Sequence, residues 1–125
     1  MHEYWLKKAE SDLNLAKKGA IGDDDTFDSA IYHTQQCAEK ALKGYLVCKK
    51  EKLLRTHDLT DLLERCSRYD SAFEYLSDDV FVLSPYSMEF RYTDYTTSGP
   101  SLDSLEEAIR FADKILRFVR ERIDL

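Results

Sequence analysis

Apolar residues recur every three or four positions along most of this 125-residue chain, which is the period of an α-helix. The pattern predicts a first helix over 3–19, a second from about 27 to 50, a third that follows 56–58, and a last one within 101–125. The segment 71–92 also has helical spacing, but Pro85 is expected to interrupt or kink it. The fold class predicted from this pattern is all-α.

Residues that start and stop helices accompany these segments. Gly19 follows two lysines and predicts the end of the first helix. Candidate N-caps precede the later helices: Asp25 or Thr26, Thr56 or Asp58, and Ser101. Because the connections are short, the predicted architecture is a single domain over 1–125, folded as an antiparallel bundle of four to five helices.

The second helix carries a polar flank beside its apolar stripe. His33, Gln36 and Lys40 align on that flank, and Lys43 lies next to them. Lysine supplies a point charge for a phosphate, while Gln and His supply directional hydrogen bonds, so these residues are candidates for a ligand site. Periodicity alone favours the simpler interpretation of a solvated flank or a symmetric contact between helices.

Two further segments are candidates for anion binding. His57 lies in RTHDL at a predicted helix start, where backbone N–H groups attract anions. Plain capping by Thr56 or Asp58 is the simpler interpretation there. In PYSMEFRYTDY, Arg91 and Tyr92 are suited to phosphate binding and base stacking. The alternative is an ion pair between the arginine and a carboxylate, with the tyrosines packed beneath a loop.

Asp12 is out of place on the apolar face of the first helix. It shares that face with Trp5, Ala9, Leu13 and Ala16. Asp12 either pairs with a group across the bundle or lies at the edge of the apolar stripe. Since a buried, unpaired carboxylate is costly, the edge position is expected.

Composition narrows the class of protein. The net charge is −6 and the pI about 5.0, so a broad basic surface for nucleic acid is not expected, although a local basic cluster is compatible with both.

Cys37, Cys48 and Cys66 form no CxxC pair, which predicts reduced thiols and a cytoplasmic protein. No signal-peptide run or membrane-length apolar stretch occurs, so no membrane association is expected. No catalytic motif or metal-ligand set is found, so no catalytic residue, metal or cofactor is predicted.

Several segments together resemble the HEPN domain family in their order and spacing. They are WLKKAESDLNLAKKG, HTQQCAEKALKGYLVCKK, THDLTDLLERC and FRYTDY, followed by a final amphipathic helix. The resemblance covers nearly the whole chain and implies an all-α, often dimeric protein linked to nucleotides or RNA. Members of the family are commonly partnered with a separate minimal nucleotidyltransferase in two-component or toxin–antitoxin systems.

The chain departs from the ribonuclease members of that family. Those members carry an Arg followed, after four to six intervening residues, by a His, whereas no His follows Arg91 anywhere in this sequence. General acid–base cleavage of RNA needs a proton carrier near the phosphate, and Tyr92 is a poor substitute at neutral pH. The resemblance therefore supports binding or partnership better than it supports nuclease activity.

The leading interpretation is a non-catalytic HEPN-like bundle that forms a homodimer and binds a nucleotide, RNA or a nucleotidyltransferase partner. Its candidate ligand-binding residues are His33, Gln36, Lys40, Lys43, His57, Arg91 and Tyr92. One alternative is a metal-independent ribonuclease toxin that uses His57 together with Arg91. Another is a purely structural dimerisation module.

Overall fold

A computed structural model describes residues 1–52, 55–87 and 100–124 of the chain. Within those ranges the helices are α1 (His2–Ile21), α2 (Phe27–Cys48), α3 (Leu59–Tyr69), α4 (Ser77–Leu83) and α5 (Leu102–Ile123). Short 3-10 segments occupy Asp24–Thr26, Ser71–Leu76 and Ser84–Tyr86. The described residues contain no strand, and the predicted all-α class is confirmed. None of these helices is both long enough and apolar enough to cross a lipid bilayer.

Helix α2 is central and packs against α1, α5 and α3. Its apolar face is buried, with Leu42, Tyr45 and Leu46 all at most 1% exposed. Phe73 lies between Tyr45 and Phe118, with ring centroids 4.4 and 5.1 Å away, and this joins α2 to α5 through the segment after α3. Burial of this apolar surface is the main force that holds the helices together.

Helix direction follows from which residues meet. The start of α1 lies beside Gly44 and its end beside Ala30, so α1 and α2 are antiparallel. The last turns of α1 share a recess with the first turns of α5, and Glu10 pairs with Arg120 near the end of α5, so α5 is antiparallel to α1 as well. Helices α2 and α5 consequently run in the same direction.

The start of α3 lies beside Glu39 and its end beside Glu51, so α3 follows the direction of α2. Helix α4 lies along α5, where Asp79 pairs with Lys114.

Gly19 serves a different purpose from the helix stop that the sequence predicts. Helix α1 continues to Ile21, and a Cβ built at Gly19 would lie 2.5 Å from the Cβ of Ala30. The missing side chain allows α1 and α2 to approach closely at this crossing. The end of the helix comes at Gly22, whose backbone N–H donates to the Gly19 carbonyl.

The predicted caps have different outcomes. Asp58 caps α3 by accepting from the Thr60 N–H at 2.9 Å, and Ser101 caps α5 by accepting from the Ser104 N–H at 3.1 Å, as predicted. The Thr26 side chain makes no cap bond to α2. Its hydroxyl instead lies 2.8 and 2.6 Å from the carbonyl oxygens of Gly19 and Asp23, so it hydrogen-bonds at the C-terminal end of α1. Helix α4 ends at Leu83, just before Pro85, as expected for a residue that interrupts a helix.

Asp70 connects the end of α3 to α5. Its carboxylate accepts the Ala72 N–H at 3.0 Å and two Arg122 nitrogens at 2.7 and 2.6 Å. The backbone hydrogen bond from Ala72, followed by the contact with Arg122, lowers the pKa of Asp70 below its usual value. The charged form is therefore favoured in the folded state, so Asp70 contributes stability above its unfolded pKa and loses it as the pH falls through its folded pKa.

We expect Asp70→Asn to lower the free energy of unfolding by about 1 kcal/mol at pH 7, because the amide still caps Ala72 but loses the charge that faces Arg122. Asp70→Ala should cost more, since it removes the cap as well. Urea unfolding at a series of pH values should show the wild type and Asp70→Asn converging in acid. A gap that stays constant down to the acid limit would contradict this account.

Candidate functional site

The polar flank of α2 forms a continuous band on the helix surface. We call it the α2 band, and its members are His33, Gln35, Gln36, Glu39, Lys40 and Lys43. Steps of three and four residues place these side chains on adjoining rows of one side of the helix. The band faces α1 on one flank and the chain that enters α3 on the other, and each flank supplies one partner from outside α2.

On the α1 flank, the band is organised by Asp12. This side chain is nearly buried, and its two oxygens accept from His33 Nδ1 at 2.8 Å and Lys40 Nζ at 2.7 Å. The expectation that Asp12 lies at the edge of the apolar stripe is therefore wrong, because two donors from α2 offset the cost of burying the carboxylate. The side chains of His33 and Lys40 remain 27% and 26% exposed, so both can still reach a ligand.

On the α3 flank, the band is organised by Glu39, whose side chain is only 4% exposed. Its Oε2 accepts from Lys43 Nζ at 3.0 Å and from His57 Nδ1 at 2.9 Å. Its Oε1 is buried and has no hydrogen-bond partner among the described residues. Lys43 is buried too, with its ammonium 5.8 Å from the centre of the Trp5 ring, whereas the His57 side chain is 77% exposed.

Two glutamine amides connect the middle of the band to the start of α3. Gln36 Nε2 donates to Gln35 Oε1 at 2.8 Å, and Gln35 Nε2 lies 3.5 Å from the backbone carbonyl of His57, a long contact. Gln35 is buried and Gln36 half-buried. The contact from Gln35 and the hydrogen bond between His57 and Glu39 together place the segment that carries His57 beside α2.

Cys37 lies on α2 beneath the band and does not offer a nucleophile. Burial, reinforced by the negative charge of Asp12, raises the pKa of the Cys37 thiol far above its usual value. Its Sγ lies 3.9 Å from the Ala112 carbonyl in the α2–α5 interface. The thiol therefore stays protonated and packed. In the described part of the chain, no three His, Cys, Asp or Glu side chains are grouped closely enough to hold a metal ion.

Five of the seven candidate ligand residues therefore lie on or against one band. They are His33, Gln36, Lys40, Lys43 and His57. Arg91 and Tyr92 lie outside the described residues. The two carboxylates that organise the band were not among the candidates. Glu39 precedes Lys43 by four residues, the spacing of a helical ion pair, and that signal was available in the sequence.

The two halves of the band have the same chemical composition. In each, a buried carboxylate holds the Nδ1 of one imidazole and the Nζ of one lysine, which leaves the Nε2 of each ring and further ammonium N–H groups for other contacts. The carboxylates fix donor positions before any ligand arrives. Such an arrangement can bind a polar ligand, and the carboxylate–imidazole pairs can also transfer protons.

Comparison with known proteins identifies relatives over nearly the whole chain. The sequence model of the HEPN domain matches residues 2–122. The chain is similar to TT1696 from Thermus thermophilus, with 32% identity, a TM-score of 0.82 and 96% of each chain covered. It is also similar to ST0689, an archaeal HEPN homologue, with 28% identity, a TM-score of 0.78 and 98% of each chain covered.

A shorter match concerns a protein of Methanocaldococcus jannaschii named "Putative toxin MJ1304". The two sequences are 40% identical over 43 residues, which is 34% of this chain and 27% of that protein. The match therefore spans about a quarter of the relative's own length.

Proposed function

Because the chain belongs to the HEPN domain family, we propose that it is a non-catalytic HEPN domain that binds a nucleotide through the α2 band. We place it in a toxin–antitoxin type system, which the similarity to a protein named as a toxin supports. The proposal includes a homodimer and a minimal nucleotidyltransferase as the protein partner.

The observation that carries the proposal is the anchoring of His33 and Lys40 on one buried carboxylate. Asp12 holds both side chains in place at a partly exposed surface, so a ligand does not have to order them. An ammonium has three N–H donors, of which Asp12 takes one, and the remaining donors suit phosphate oxygens. Lys40 is thus the phosphate-binding lysine of the proposal, because Lys43 is buried against Glu39.

A titration of ATP by isothermal calorimetry tests this assignment. We expect Lys40→Met to raise the Kd about tenfold or more, since a charge-assisted hydrogen bond to phosphate is worth about 1.5–3 kcal/mol. The matched control is Lys7→Met, which removes an exposed lysine of α1 outside the band and should leave the Kd unchanged. Equal ATP affinity in the wild type and Lys40→Met would overturn the assignment.

The protein partner is tested separately. We expect light scattering of the purified chain to give the mass of a dimer, and co-expression with a nucleotidyltransferase encoded beside it to yield a stable complex. A monomer that forms no such complex would refute the proposed dimer and protein partner. It would not affect the proposed nucleotide binding. A dimer that binds neither nucleotide nor RNA would instead favour a purely structural module.

A second candidate function is metal-independent cleavage of RNA. It is favoured by the His57–Glu39 and His33–Asp12 pairs, in which a carboxylate holds Nδ1 and leaves Nε2 free to carry a proton. Incubation of the purified protein with RNA, in the presence of a chelator, distinguishes the two. Cleavage that His57→Ala or His33→Ala abolishes would favour the ribonuclease, and intact RNA would favour the non-catalytic domain.

A further inference from the structure

The unpartnered oxygen of Glu39 points to the kind of nucleotide that the band accepts. We infer that Glu39 accepts a hydrogen bond from the exocyclic amino group of a purine base, while the phosphates lie at His33 and Lys40. This inference rests on the nucleotide binding proposed above and adds the orientation and base preference of the ligand.

Glu39 has an acceptor that the described residues leave unused. Its Oε2 takes two donors, from Lys43 and His57, whereas the buried Oε1 takes none. A buried acceptor without a donor costs free energy, and such unsatisfied acceptors are rare in native proteins. Replacement of a buried ion pair by apolar residues is often neutral or stabilising, so stability alone does not explain why α2 buries this pair.

The charge balance around Glu39 indicates the kind of donor. The carboxylate of Glu39 is neutralised by the buried ammonium of Lys43, 3.0 Å away. A second cation at Oε1 would bury an unpaired positive charge, and a phosphate would bring a negative charge to a carboxylate. A neutral N–H donor satisfies Oε1 without either cost. The exocyclic amino group of adenine or guanine is such a donor on a flat ring.

The geometry of α2 allows one ligand to reach both halves of the band. From His33 to Glu39 the helix rises about 9 Å at 1.5 Å per residue, so a base at Glu39 and phosphates at the His33 end can contact different turns. Gln36 lies between the two halves and is half-buried, within reach of the ligand's middle. The reverse orientation would place the phosphates against the Glu39 carboxylate. It is disfavoured because the lysine there, Lys43, is buried, whereas Lys40 is partly exposed.

His57 controls access to Glu39. Its side chain is 77% exposed and is joined to the carboxylate by one hydrogen bond of 2.9 Å. Rotation of this imidazole away from α2 uncovers the carboxylate without unpacking a helix. The incoming base then enters beside the carboxylate and directs its N–H donor at Oε1, while Lys43 stays on Oε2.

Two pairs of nucleotides that differ in one amino group test the inference on the full chain. ATP is compared with purine riboside 5′-triphosphate, which lacks the 6-amino group, and GTP with ITP, which lacks the 2-amino group. We expect at least one pair to show about a tenfold difference in Kd in favour of the amino-bearing nucleotide. In the double variant Glu39→Leu/Lys43→Met, which leaves no buried unpaired charge, the two members of each pair should bind alike.

The outcomes separate this inference from the proposed function. Nucleotides that bind with Kd ratios near one in both pairs would overturn the inference and leave nucleotide binding intact, with a water on Oε1. A ratio that persists unchanged in the double variant would also overturn it, because the discrimination would then arise elsewhere. If no nucleotide binds at all, the nucleotide arm of the proposed function fails and the inference with it.

Discussion

Replacement of Lys43 by Met should lower the free energy of unfolding by about 3–5 kcal/mol, the range for removal of one partner from a buried ion pair. The carboxylate of Glu39 is 4% exposed and would keep only the hydrogen bond from His57. Methionine has a similar shape to lysine, so packing against Trp5 is largely retained. The loss of stability would therefore measure the cost of leaving the buried Glu39 carboxylate uncompensated. Urea unfolding monitored by circular dichroism gives the value.

Two companion variants make this result specific. Adding Glu39→Leu to Lys43→Met removes both charges and should recover most of the lost stability, as an apolar pair does in place of a buried ion pair. The matched control is Arg68→Met, which breaks the exposed pair of Arg68 with Glu64, at the same four-residue spacing, and should cost about 0.5 kcal/mol or less. Similar costs at Lys43 and Arg68 would show that the Glu39–Lys43 pair is solvated rather than buried.

Gly19→Ala should destabilise the protein by about 1–3 kcal/mol, the cost of overpacking a contact that has no room. The sign is informative, because alanine in an unobstructed helix stabilises by up to about 1 kcal/mol relative to glycine. The new Cβ would lie 2.5 Å from the Cβ of Ala30, a backbone-anchored atom that cannot rotate away. Helices α1 and α2 would have to separate, and that would also loosen the contacts of Asp12 with the α2 band.

A double-mutant cycle and a helix control test the Gly19 prediction. Ala30→Gly, added to Gly19→Ala, removes the clashing methyl group, and the cycle should show a coupling of more than about 1 kcal/mol. Asn14→Ala, at an exposed position of the same helix, should be neutral or slightly stabilising. Thermal unfolding in which Gly19→Ala is as stable as the wild type would disprove a tight crossing at this residue.

The helices were predictable because their signals are local. The period of the apolar residues, the caps at Asp58 and Ser101 and the interruption before Pro85 all act within a few residues of one another. The errors arose where a neighbouring helix competed for a local group. The Thr26 hydroxyl contacts the end of α1 instead of capping α2, and Gly19 accommodates Ala30 instead of stopping its helix.

The candidate site was predictable only in part. Periodicity placed His33, Gln36 and Lys40 on one flank, since side-chain direction on a helix follows from spacing. The sequence pattern contains no information on how far each charged group would be from a partner on another helix. Asp12 was therefore assigned to an edge. Glu39 was overlooked although its four-residue spacing to Lys43 was visible, and these two carboxylates hold the donors of the band.

By itself, the amino-acid sequence determined the class of the fold, the helical segments and the membership of a polar flank, because each depends on the 3.6-residue period and on short-range hydrogen bonds. Tertiary structure decided which lysine is exposed, which carboxylates are buried and which acceptor is left without a donor. These properties depend on the approach of α1 and of the chain entering α3 to α2. Burial and pairing are set by distances between segments far apart in sequence, which no local pattern specifies.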